Sequence, residues 1–290
     1  MRFEKWQALG NDYLIIERDE LPFELTAARI RRLCEGHFGV FTDGVLLLSP
    51  PADARHVADL RIFNPDGSEA ELSGNGAREA ILYLRRRGWT DSEEFSISTV
   101  AGDIRPTITG PETCTVDMGH AALRSRDFPD GPEDGSGEVA AGGRAWRFRH
   151  VSIGNPQCAI HVESERELEE LDLGSIGPHI EVDFQFPNRT NVSWYTRLAE
   201  GPGERIRARI FERGVGETLS SVTGATGAAV AHALESGLAA GATRVSVLLD
   251  GGELEVAVGE DLHVNLTGWA RPVFEGRLSD EFIKELDETE

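Results

Sequence analysis

Two serines, Ser73 and Ser221, each stand at the head of a short turn that runs into an alanine-rich, periodic segment: Ser73-Gly74-Asn75-Gly76-Ala77 and Ser221-Val222-Thr223-Gly224-Ala225. Small residues in this arrangement mark a helix N-terminus, where unpaired backbone N–H groups and the positive end of the helix dipole hold a carboxylate or phosphate. Aligning the serines also aligns Gly76 with Gly224 and Ala77 with Ala225, and Ser221 follows Ser73 by 148 of the 290 residues. Two similar halves, each contributing one helix start to a shared site, are therefore expected. Asn11, Asn64, Asn75, Asn155 and Asn191 fall in turn-like contexts beside expected strand ends. A neutral amide there can close a turn, or it can donate to and accept from the α-amino and α-carboxylate groups of an amino acid. Glu212-Arg213 adds an acceptor and a fork-shaped donor next to the second copy.

The elements that must position these groups are short strands joined by glycine turns, with one long helix per half. Residues 2–8 and 13–17 read as strands around the turn Leu9-Gly10-Asn11-Asp12, and 26–35 as a helix stopped by Gly36. Val45 to Leu48 is an apolar run of strand length. The helix after Ser73 runs to Gly88 and ends on Arg85-Arg86-Arg87, cations that complement the dipole. Phe95 to Val100 and Ile104 to Ile108 read as a hairpin around Ala101-Gly102-Asp103. Residues 124–143, rich in Gly, Pro, Asp and Glu, read as an exposed loop near a domain junction. Ser164 to Leu171 is a short acidic helix with a solvated face. Strands are expected at 146–150, 191–198 and 205–211, a hairpin around Asp250-Gly251-Gly252, and a terminal amphipathic helix at 279–286.

This pattern predicts an α+β fold of two halves, residues 1–117 with 267–290 and residues 118–266. A net charge of −21 argues against a nucleic-acid or anionic-membrane partner. No apolar run reaches the length of a membrane span, and the start of the chain lacks a signal-peptide core, so a cytoplasmic protein is expected. The three cysteines, Cys34, Cys114 and Cys158, are widely spaced, which indicates neither a disulfide framework nor a metal site. No Gly-x-Gly-x-x-Gly or Walker loop is present, and no cofactor is expected.

Five stretches then carry a specific resemblance: Ala8-Leu9-Gly10-Asn11-Asp12-Tyr13; Phe63-Asn64-Pro65-Asp66-Gly67-Ser68 with Gly74-Asn75-Gly76-Ala77-Arg78; Gly154-Asn155-Pro156; Arg189-Thr190-Asn191-Val192; and Glu212-Arg213-Gly214-Val215-Gly216-Glu217-Thr218. In their order and spacing they resemble the diaminopimelate epimerases. The resemblance implies pseudo-symmetric halves, each a curved antiparallel or mixed sheet wrapped around a central helix, with a cofactor-free site between them and a homodimeric assembly. It implies stereoinversion at the α-carbon of LL-diaminopimelate, giving the meso isomer in lysine biosynthesis, by two cysteines at the two helix starts. Those positions are Ser73 and Ser221 here. The substrate contacts carried over are Asn11, Asn64, Gly74, Asn75, Asn155, Asn191, Glu212, Arg213, Val222 and Thr223.

Gln157 stands where the resemblance would put a histidine, Val222 where it would put a glycine, and Phe41 and Thr42 where smaller residues are usual. A serine hydroxyl is far less acidic than a thiol and needs an adjacent base. Glu71 and Glu217 are the carboxylates preceding the two serines. A racemase or dehydratase acting on another amino acid, and a catalytically silent amino-acid-binding relative, are the alternatives that the serine pair leaves open.

Overall fold

The structure is a computed structural model that describes residues 1–238 and 241–289. It divides into two compact units, Met1–Val116 with Trp269–Glu290, and Asp117–Gly268. Each is a twisted sheet around one buried helix.

In the first unit the strand order is Arg271–Arg277, Arg2–Ala8, Asn11–Glu17, Val45–Ser49, Ala58–Phe63, Ile97–Thr99 and Gly102–Ile104. The run at 45–48 is continuously apolar because both faces of that strand are covered. Val45 and Leu47 join a core built with Ile30 and Leu33 of the helix Ala27–Cys34 and with Leu286 of the terminal helix Asp280–Glu288. Leu46 faces the other way, toward the central helix Gly74–Arg86, where a Cβ on Gly76 would come within 3.0 Å of its Cδ2. That helix is buried at every residue from Asn75 to Leu84, hence its small side chains at the crowded end.

The second unit orders Ser136–Ala141, Arg144–Ser152, Pro156–His161, Asn191–Arg197, Glu204–Glu212, Thr243–Leu249, Gly252–Val258 and His263–Trp269. Period-2 alternation again separates two environments. Cys158, Ile160, Val192, Trp194 and Phe211 enter an outer core with Leu168 and Leu173. Gln157, Ser193 and Ile210 turn toward the central helix Val222–Glu235. Gly224 and Gly227 allow that approach: a Cβ on either would lie 2.6 Å from Ile210 Cδ1 or 2.7 Å from Gln157 Cβ.

Several elements differ from the sequence expectation. The turn at the start of the chain is only Leu9-Gly10, both at positive φ (54° and 84°). It is a two-residue hairpin, and Asn11 and Asp12 already belong to the strand, opposite Ala8 and Gln7. Near residue 100 the strands are Ile97–Thr99 and Gly102–Ile104, so Gly102 and Asp103 lie in a strand. Residues 124–143 are not a junction loop. They lie inside the second unit, contain the strand Ser136–Ala141, and bury Phe128, Val139 and Ala141 in its core. The acidic helix Glu165–Glu170 is not a purely solvated element, since Leu168 is fully buried. The helix Leu173–Glu181 was hidden by Gly174, Gly177 and Pro178, poor helix formers. Asp172 caps it, and Gly177 lets it rest on Phe211, whose ring would be 2.5 Å from an added Cβ.

Candidate active site

In the first unit Ser73 is the N-cap of the central helix, with an extended backbone (φ −127°, ψ 120°) and its Oγ accepting from the Gly76 N–H at 3.1 Å. The Tyr13 hydroxyl donates to the same Oγ at 3.1 Å. Asn11 shares Tyr13's face of the strand, and its Nδ2 donates to Asp43 at 2.8 Å, as does the Asp12 N–H at 3.0 Å. Asp12 is paired in turn with Lys5 at 3.1 Å. Asn75 accepts from Arg78 Nη2 at 2.7 Å, and Arg78 Nη1 reaches the Gly74 carbonyl at 3.0 Å. Arg78 therefore fixes the loop-to-helix transition from inside, and its complete burial lowers its pKa to about 10. Asn64 bonds chiefly to its own turn, donating from N and Nδ2 to Ser68 at 2.9 and 3.0 Å. Its turn role is the one visible in the geometry.

In the second unit Ser221 caps the central helix in the same way (φ −140°, ψ 124°), accepting from the Gly224 N–H at 3.3 Å. Its own hydroxyl donates to Glu212 Oε2 at 2.9 Å, while Thr218 donates to the other Glu212 oxygen at 2.8 Å. Burial pushes the Glu212 carboxyl above its ordinary pKa, and the two hydroxyl donors only partly oppose that. The carboxylate beside Ser221 is thus Glu212 on the adjoining strand. Glu217, nearer in sequence, pairs with Arg209 at 2.6 Å, and Glu71 is exposed. Asn155 donates to Thr223 Oγ1 at 3.2 Å and accepts from Gln157 Nε2 at 2.7 Å. Asn191 accepts from the Arg213 N–H at 2.9 Å, and the Arg213 guanidinium donates to the Asn188 carbonyl at 2.9 Å. Val222 is buried in the first turn.

Sequence reasoning missed Tyr13, Asp43 and Glu181 as supporting groups. Glu181, buried at the end of the unpredicted helix, accepts from the Gly214 N–H at 2.8 Å and pairs with Arg189, tying down the turn that follows Arg213. Tyr13 could have been found from period 2, which puts it on Asn11's face. Glu181 left no such signal.

The cysteines are buried: burial raises Cys34 and Cys114 to about 12 and pushes the Cys158 thiol well above its ordinary value. Among the described residues no group of three or more His, Cys, Asp or Glu side chains is arranged to hold a metal ion. What the two helix starts offer is a hydroxyl and first-turn N–H groups suited to an anionic ligand.

The diaminopimelate epimerase family model matches residues 3–124 and 149–273. Curated relatives agree along nearly the whole chain. A diaminopimelate epimerase of Synechococcus sp. (strain JA-3-3Ab) is 39% identical over 288 residues, covering 97% of this chain and 99% of that protein. One from Desulforudis audaxviator is 40% identical, covering 96% and 99%. Solved structures share the fold: a phenazine biosynthesis protein of the PhzF family from Bacillus anthracis has a TM-score of 0.71 at 17% identity, covering 96% of this chain and 99% of that one. A probable proline racemase from Agrobacterium radiobacter K84 has a TM-score of 0.66 at 16% identity, covering 96% and 93%. With capped helices starting at corresponding points of its two units and this likeness running from end to end, the chain belongs to the diaminopimelate epimerase family of isomerases.

Proposed function

We propose that this protein inverts the α-carbon of LL-diaminopimelate to give the meso isomer, without a cofactor, using Ser73 and Ser221 where its relatives' chemistry calls for two thiols. The observation that carries the reading is the 2.9 Å hydrogen bond from Ser221 to Glu212. A hydroxyl is a poor base alone, but a carboxylate that takes its proton lets the oxygen accept another in the same step. The Cα–H bond breaks, its proton passes to Ser221 Oγ, and the serine proton passes to Glu212. Ser73 then supplies a proton to the opposite face of the carbanion. The dipoles of the two central helices favour negative charge at both serine oxygens and at the substrate carboxylate, for which the N–H groups of Gly74, Val222 and Thr223 lie in the first turns.

Asn11, Asn64, Asn75, Asn155, Asn191 and Arg213 are the proposed substrate-recognition groups. The family resemblance also supports a cytoplasmic homodimer, and the charge of −21 supports a small-molecule partner over a nucleic acid. Chiral chromatography of LL-diaminopimelate after incubation tests the reading. The meso isomer should accumulate with the wild type and not with Ser73→Ala or Ser221→Ala, and no conversion by the wild type removes it.

A further inference from the structure

The two serines are capped alike but bonded differently. Ser221 Oγ receives one donor, the Gly224 N–H, and gives its own proton to Glu212. Ser73 Oγ receives two donors, the Gly76 N–H and the Tyr13 hydroxyl, each at 3.1 Å. Among the described residues no carboxylate bonds to it. Its own proton is therefore not committed to a base, and any charge left on Oγ when that proton departs meets two aligned donors.

The Tyr13 ring is held for this task. A Cβ on Gly44 would lie 2.7 Å from Tyr13 Cε1, and one on Gly76 would lie 3.3 Å from Cε2, so glycines flank both edges of the ring. Leu46 backs the same helix turn from the next strand. The hydroxyl is thereby aimed at Ser73 with little rotational freedom, the condition under which a donor stabilises charge without first reorganising.

We infer that Tyr13 is a positioning residue that makes Ser73 the proton donor of the pair, while Glu212 makes Ser221 the acceptor. The inference rests on the serine-based inversion proposed above and assigns the roles for the stereoisomer whose α-proton faces Ser221; the other stereoisomer runs the same transfers in reverse. At Ser221 the Cα–H bond breaks, a new O–H bond forms, and the original serine proton goes to Glu212. At Ser73 the O–H bond breaks, the Cα–H bond forms on the opposite face, and the oxygen retains the electron pair under the Gly76 N–H and the Tyr13 O–H. Each turnover thus moves one proton from Ser73 to the Glu212 side. Water restores both groups after product leaves.

Tyr13→Phe tests this, because it keeps the ring and removes only the donor. LL- and meso-diaminopimelate are each incubated in deuterated water, and two rates are read: deuterium wash-in to unreacted substrate, and inversion. Losing one donor to a developing oxyanion should slow proton return from Ser73 by about 10- to 100-fold. Abstraction at Ser221 continues and the carbanion is quenched on the face it left, so with one of the two stereoisomers wash-in outruns inversion by about tenfold relative to wild type. KM should stay within about twofold, since a group acting through Ser73 leaves ground-state binding intact. A simple loss of folded enzyme lowers both rates together, and an unfolding midpoint within a few degrees of wild type confirms the scaffold. An unchanged wash-in-to-inversion ratio with both stereoisomers overturns the role of Tyr13 while leaving the serine mechanism standing. A wild type that neither exchanges nor inverts removes the mechanism and this inference with it.

Discussion

Glu212→Gln perturbs the one carboxylate that, among the described residues, bonds to a proposed acid/base serine, while preserving side-chain shape. In the wild type, Glu212 accepts from Ser221 at 2.9 Å and from Thr218 at 2.8 Å, and no cation neutralises it within that set. An amide there can still bond to a hydroxyl but cannot take up a proton. The expected loss is that of a general base, about 100- to 10,000-fold in kcat, equivalent to about 3–5 kcal/mol of transition-state stabilisation. The pH profile carries a second signature. Burial raises the Glu212 pKa above 4.5, so the wild-type rate should rise with pH through a limb above the ordinary carboxylate range, as the carboxyl ionises. Glu212→Gln should lack that limb. Stability moves the opposite way: a carboxyl whose folded pKa is raised contributes stability in full below its unfolded pKa, and that contribution is lost as pH rises through the folded value. The variant should therefore match or exceed wild-type stability at pH 8. Steady-state inversion rates from pH 5 to 9 with urea unfolding at the extremes provide the test. Near-wild-type activity, or an acid limb that survives the substitution, refutes the relay.

Other outcomes follow from the same structure. Replacing both Ser73 and Ser221 by cysteine should raise kcat at least about tenfold at pH 8, because a thiol near pKa 8.5 at a helix N-terminus is a far better acid/base group than a hydroxyl, as steady-state inversion assays will show. Glu79 is fully buried, and burial pushes its carboxyl well above the usual range. Glu79→Gln should therefore be more stable than wild type at pH 8 in urea unfolding, with the gap closing toward pH 4 as the wild-type carboxyl becomes protonated in both states. Gly227→Ala would place a methyl 2.7 Å from Gln157 Cβ. It should cost about 1–3 kcal/mol in denaturant unfolding and also lower kcat, since Gln157 holds the Asn155 amide.

Much of the fold could be read from the letters because its cues are local. Continuous apolar runs gave the doubly covered strands, Thr26 and Ser279 marked helix starts that the structure caps, and the duplicated serine turns mark the starts of both central helices. Failures came where tertiary contacts overrode local composition. Gly174, Gly177 and Pro178 speak against a helix that Phe211 and Asp172 nonetheless support. Glycine and acid content around 124–143 hid the inward alternation of Val139 and Ala141. The serines were found by repetition, but the groups that distinguish them were not. Glu212 and Tyr13 reach Ser221 and Ser73 from strands 9 and 60 residues away, and sequence proximity pointed instead to Glu217 and Glu71. Asn64 joins the candidate site through its turn context and the family resemblance, and its amide donates within its own turn.

The proposed inversion has a serine pair transfer the α-proton at the positions where the family resemblance implies two thiols. Wild-type protein incubated with LL-diaminopimelate in deuterated water, followed by mass spectrometry of the separated stereoisomers, tests it most directly. The meso product should carry one deuterium at the inverted α-carbon. Recovery of LL-diaminopimelate alone, free of α-deuterium, would contradict it.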